Sequence, residues 1–117
     1  MIVKSTDALI VVDVQNDFCP GGAVPVPGGD GVVRPLNRIM EKFDCLIFFR
    51  HWHPQDHYSF GESKPREDDS YPSHCVQNSP GAEFHGSLRV PLDALILDKG
   101  ADPDVDDGSG FHNSLLA

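Results

Sequence analysis

Long apolar runs are missing from this sequence. Its unbroken apolar stretches are far shorter than the roughly 20 residues needed to cross a bilayer. The opening Met1-Ile2-Val3-Lys4 meets Asp7 and Asp13 before the apolar core of a signal peptide could form. A membrane protein is not expected, and a cytoplasmic one is. Positive charge is scarce too. Lys and Arg number 9 against 18 Asp and Glu, and the formal net charge of -9 repels phosphate backbones and anionic lipid surfaces. Nucleic acid and membrane partners drop out, and a small neutral or cationic molecule fits better. The 3 cysteines, Cys19, Cys45 and Cys75, are odd in number and widely spaced, so a disulfide framework is not expected and free thiols are the default. There is no internal repeat and no His-Glu-x-x-His zinc signature. At 117 residues and 39% hydrophobic composition, the chain is one small domain with a modest core.

What is present reads as alternating strand and helix. Residues 8–14 form a nearly continuous apolar run rich in β-branched side chains, the pattern of a strand buried on both faces in a parallel sheet. The next segment, from Cys19 to Gly29, is dense in Gly and Pro and must be a loop. A helix should follow, capped by Asp30, with Val32, Val33, Leu36, Ile39, Met40 and Phe43 near helical spacing and Pro35 in its first turn. Residues 45–49 are a second strand, completing a βαβ unit, and residues 94–97 a third, ending at Asp98-Lys99-Gly100. Between them, residues 51–89 are polar and aperiodic yet hold five of the six histidines with Trp52, Phe60 and Tyr71. A loop of that length is functional or disordered. The acidic stretch at 102–107 leads to residues 114–117, which resemble the opening turn of a helix. The fold class predicted is α/β, a Rossmann-like open parallel sheet with flanking helices, in which sites form beyond the carboxyl ends of the strands. Asp13, His51 and Lys99 stand at such ends.

An ionised carboxylate closing a buried strand is costly unless paired. Asp13 is therefore either bonded to loop N–H groups or paired with Lys99, and a lysine meeting a carboxylate in a cleft shifts both pKa values. Lys99 ends an apolar strand and precedes Gly100, which lets backbone approach a ligand closely. Alternate residues on an extended segment point the same way, so His51 and His53 can share one metal, with His74 closing the set and His57 a further candidate. The alternative is a scatter of solvent-facing histidines.

Several segments, in order, carry a family likeness. The run Val12-Asp13-Val14-Gln15-Asn16-Asp17-Phe18-Cys19-Pro20-Gly21-Gly22 resembles the opening motif of nicotinamidases and pyrazinamidases in the isochorismatase-like hydrolase family. Similar in the same order are the stretch from Trp52 through His53 and His57 to Phe60, Pro72-Ser73-His74-Cys75-Val76-Gln77, Gly81-Ala82-Glu83-Phe84-His85, and Lys99-Gly100. In that family a cysteine thiolate attacks the carboxamide, ammonia leaves, and water hydrolyses the thioester to release nicotinic acid.

The resemblance implies Asp13 as general base and Lys99 as the cation of a Cys-Asp-Lys triad. It implies His53, His74 and position 51 as ligands of a divalent metal, most often zinc, with iron or manganese as alternatives, which anchors the pyridine nitrogen. Phe18 and Tyr71 would contact the substrate ring. The chain departs from the family at several places: His51 stands where aspartate is usual, Tyr71 where tryptophan is, Asn78-Ser79 where Gly-Thr is, and Gly108 where an aromatic ring is expected. The family's nucleophilic cysteine follows a further strand after the lysine. Residues 1–117 therefore read as a partial domain, truncated after the third strand, whose Cys19 and Cys75 resemble structural cysteines. Such a chain would leave its first strand as an uncovered edge, open to self-association. A non-catalytic metal-binding or interaction domain, and a sister hydrolase acting on another amide or an isochorismate-like ether, stand as alternatives.

Overall fold

Three parallel strands, β1 (Ala8–Val12), β2 (Cys45–His51) and β3 (Leu95–Lys99), make an open sheet of order β1-β2-β3 in the computed structural model, which describes residues 1–61, 71–105 and 107–112. The helix α1 (Val33–Met40) lies between β1 and β2 in the chain. This is the α/β architecture expected. β1 stops two residues short of the 8–14 run because Asp13 takes a left-handed φ of 60°, which a strand cannot accommodate. β2 and β3 run further than expected, since Arg50 pairs with Asp98 and His51 with Lys99 in register. The helix is shorter than its apolar pattern and is not capped by Asp30. That residue sits in a 3-10 turn at Gly29–Val32, and Val32 at the N-cap makes no side-chain capping bond. The helical turn expected at 114–117 lies outside the described residues.

One face of the sheet holds the core. Strand side chains alternate, so Leu9 and Val11 of β1 and Leu46 and Phe48 of β2 point together and pack against Val33, Leu36 and Met40 of α1, with Leu88 from the later loop. Burying a side chain the size of Phe48 stabilises by about 1.5–3 kcal/mol. The opposite face is partly open: Ile10 is 40% exposed, Val12 52% and Leu95 52%. There Phe49 is covered by a turn at Gly110–His112, where the Phe49 and Phe111 rings lie 5.6 Å apart. β1 pairs on one side only among the described residues and forms the sheet edge expected for it, with β2 in the centre.

The described parts of the aperiodic stretch after β2 are held in place by a few polar side chains. Gln15, fully buried, donates its amide N–H groups to the His51 and Ala82 carbonyls (both 2.8 Å) and accepts the His51 N–H through Oε1 (2.8 Å). Asp17 accepts the Ala23 N–H (3.1 Å) and the Cys75 N–H (2.7 Å). The backbone of His53 then bonds to Cys75 and Gln77, bringing residues 74–77 alongside the end of β2. Every polar group so satisfied removes the cost of burying this loop.

Candidate active site and metal centre

A parallel sheet places all its carboxyl ends on one side, and there the chemistry-bearing residues meet. Lys99, 1% exposed, donates from Nζ to Asp13 Oδ2 at 2.9 Å and to the Gly108 carbonyl at 3.4 Å. The same Asp13 oxygen lies 3.2 Å from His51 Nε2. Burial pushes the Asp13 carboxyl up, but the hydrogen bond and charge of His51, and then those of Lys99, outweigh it and hold the carboxyl below its ordinary value. Its other oxygen, Oδ1, is buried with no partner among the described residues. Asp13 is thus an ionised acceptor with one buried oxygen left unpaired among the described residues.

Beside this pair stand three imidazoles. His51, His53 and His74 each offer a nitrogen within 4.8 Å of the others. His53 Nδ1 donates to the Gly100 carbonyl (2.8 Å) and His74 Nδ1 to the Pro72 carbonyl (2.9 Å), while His51 Nε2 faces Asp13. A neutral imidazole has a single N–H. With Nδ1 spent, His53 Nε2 and His74 Nε2 present lone pairs, and His51 Nδ1 lies 3.1 Å from His53 Nε2, close enough for a hydrogen bond or a shared cation. Three ring nitrogens converging within 4.8 Å form a donor set that fits a metal ion. Burial drives the His53 imidazole down to about 3, with the Gly100 bond opposing and the neighbouring histidines adding, and burial likewise lowers His74. Both rings are neutral, as a ligand must be.

His57 does not join this set. Its Nδ1 bonds the Ser59 hydroxyl (2.7 Å) and its Nε2 donates to the Val105 carbonyl (2.9 Å), so neither nitrogen is open, and the ring lies tilted against His53 with centroids 4.1 Å apart. It is a wall of the centre, contrary to the candidacy its spacing suggested. Phe18 and Tyr71, the two expected ring contacts, flank His74 with ring centroids 5.8 and 5.7 Å away, at a cleft of about 400 Å³ that includes His51, His53 and Gly108. A larger groove of about 490 Å³ runs along α1 past Arg34, Arg38 and Lys42. No cluster of metal-ligating groups is found there among the described residues, so size alone does not mark the site.

Gly100, expected to let backbone approach a ligand closely, brings its backbone against the His53 ring. It adopts φ +69°, and a Cβ there would collide with His53 Cε1. Gly100→Ala is expected to push His53 out of the cluster and weaken zinc binding at least tenfold, by analogy with the loss of a ligand's supporting contact, as measured by calorimetric titration. The three thiols are poorly placed for attack. Burial raises Cys75 well above the ordinary thiol range, with Asp17 and Asp13 adding to it, and burial and Asp30 raise Cys19. Cys45 is exposed at the opposite end of β2, where the strand begins.

Residues 7–104 match the isochorismatase domain model. The nicotinamidase of Escherichia coli (strain K12) is 38% identical over 122 residues, covering 92% of this chain and 57% of the relative. The nicotinamidase/pyrazinamidase of Mycobacterium tuberculosis is 38% identical over 99 residues, covering 80% of this chain and 52% of the relative. Among solved structures, the zinc complex of the Pyrococcus horikoshii pyrazinamidase superposes with a TM-score of 0.80 at 46% identity, covering 90% of this chain and 57% of that one. The chain thus spans little more than half the length of the curated relatives it matches.

Proposed function

The chain belongs to the isochorismatase family, and on that footing we propose that it carries the base, the cation and the metal centre of a nicotinamidase-type amide hydrolase, which converts nicotinamide and water to nicotinic acid and ammonia. One observation carries the reading: the Asp13–Lys99 pair lies directly against a three-imidazole cluster at an aromatic-flanked cleft. Asp13 Oδ1, unpaired among the described residues, takes the proton of the attacking nucleophile, and Lys99 keeps the carboxylate charged until it does. Phe18 and Tyr71, which line the cleft, would contact the flat ring of the substrate. His51, His53 and His74 would hold a divalent metal, which when bound supplies a Lewis-acidic anchor for the pyridine nitrogen. Three neutral nitrogen donors suit zinc better than manganese, with iron between them. With this reading we also propose a role in NAD salvage in the cytoplasm, acting on a small uncharged amide.

None of Cys19, Cys45 and Cys75 is placed for thiol attack, so the nucleophile of this reaction comes from outside residues 1–117, which then form a partial catalytic domain. The test joins this chain to the remaining segment of the Escherichia coli relative and assays ammonia release from nicotinamide. One zinc per chain and measurable release are expected, both lost in the His53→Ala/His74→Ala variant. A joined protein that folds, binds zinc and releases no ammonia overturns the assignment. That outcome favours the second reading, a non-catalytic metal-binding module, which the lack of a placed thiol supports.

A further inference from the structure

We propose that Asp13 is the outer partner of a metal ligand: its carboxylate fixes the orientation of His51 so that Nδ1 takes the metal, and the Asp13–Lys99 pair thereby sets the affinity of the metal centre. The inference rests on reading the three imidazoles as a metal site, and it concerns which atoms bind and what tunes them.

The three rings are not held alike. His53 and His74 spend Nδ1 on backbone carbonyls, those of Gly100 and Pro72, and are left with Nε2. His51 is reversed. Its Nε2 lies 3.2 Å from Asp13 Oδ2 while its Nδ1 faces His53 Nε2 at 3.1 Å. For Nε2 of His51 to bind a metal held by the other two, the ring would have to turn over and abandon the carboxylate. Metal-bound histidines commonly donate their outer N–H to an acceptor, which fixes the ring and raises its basicity. A carboxylate does this more strongly than a neutral carbonyl, because charge-assisted hydrogen bonds are roughly twice as strong.

The centre has three neutral ligands, yet through His51 it draws on a negative charge that does not itself reach the cluster. How much of that charge is available depends on Lys99, whose ammonium sits on the same oxygen at 2.9 Å. The end of β3 therefore acts on two ligands at once, on His51 by way of Lys99 and Asp13, and on His53 through the Gly100 carbonyl. Base and metal centre share a proton-sized link and cannot be tuned separately.

The test uses the intact chain, nitrogen-labelled and loaded with an NMR-active cadmium isotope. Scalar coupling from cadmium to Nδ1 of His51 and to Nε2 of His53 and His74 is expected. Coupling to Nε2 of His51 overturns the inference while leaving the metal site standing, whereas no cadmium uptake removes both. A second arm measures zinc affinity by chelator competition in Lys99→Met and in Lys99→Met/Asp13→Asn. Removing Lys99 first avoids stranding a buried ammonium when the carboxylate goes. Loss of the carboxylate should weaken zinc by roughly 10- to 100-fold, the range for outer partners of metal ligands. Equal affinities in the two variants overturn the proposal.

Discussion

Replacing Asp13 by alanine is expected to destabilise the fold by about 3–5 kcal/mol, the usual effect of removing one member of a buried ion pair. A small domain has roughly 5–15 kcal/mol in total, so the variant should sit close to unfolding at room temperature. The reason is Lys99. Its side chain is 2% exposed and the second acceptor, the Gly108 carbonyl, is 3.4 Å away, too long to replace a carboxylate. A positive charge held out of water without a counterion is the costly state. Asp13→Ala/Lys99→Met is expected to recover much of the loss, because an apolar side chain of similar length has no charge to strand. Urea denaturation of the two variants checks it. An unchanged midpoint in Asp13→Ala would show that the pair contributes to chemistry alone.

The second large effect is on acid stability in the absence of metal. His53 is held neutral in the fold down to about 3, while in the unfolded chain it takes a proton near the ordinary 6.5. Between those two values the unfolded state binds more protons than the folded one, so stability falls as pH is lowered through that window and levels off below it. One such group gives a slope of at most about 1.4 kcal/mol per pH unit. His74, lowered in the same direction, adds to it. Asp13 acts in a lower window: its depressed carboxyl stabilises above the unfolded value of 3.8, and that contribution disappears as pH falls through the folded value. The metal-free chain should therefore lose stability from about pH 6.5 downward, and His53→Phe should flatten the upper part of the profile. Thermal melts from neutral to acid pH, with a chelator present, read both. A flat wild-type profile above pH 4 would contradict the burial of a neutral His53.

Much of the site was legible because a parallel sheet obeys a simple rule. Once residues 8–14, 45–49 and 94–97 read as strands, Asp13, His51 and Lys99 had to gather on one side, and the alternation of an extended chain set His51 and His53 on one face. Other features depend on contacts that no local pattern carries. His57 has the same spacing signal as a ligand, but its two nitrogens are taken by Ser59 and by Val105, 48 positions away. Gln15 sits in an obvious motif, yet its role in tying His51 to Ala82 spans 67 positions and leaves no periodicity to read. The edge position of β1 follows from the sheet stopping at three strands, and its apolar run, which suggests that both faces avoid water, did not show that Ile10 and Val12 would be exposed there. The supposed cap at Asp30 failed for a smaller reason: a 3-10 turn intervenes, so the helix begins later than its composition suggests.

The register of the sheet also bears on when the site comes into being. β1 pairs with β2 from Ala8 to Cys45, β2 with β3 from Ile47 to Leu95, and the Asp13–Lys99 bond joins positions 86 apart. Against these distant pairings the described residues offer one eight-residue helix and a few 3-10 turns as local structure. Loop closure has to be met before such contacts form, so folding is slow and the carboxyl ends assemble late. Interactions made after the transition state alter the unfolding rate and leave the folding rate almost untouched. A cation held by His51, His53 and His74 would then lengthen the lifetime of the folded chain without helping it to fold.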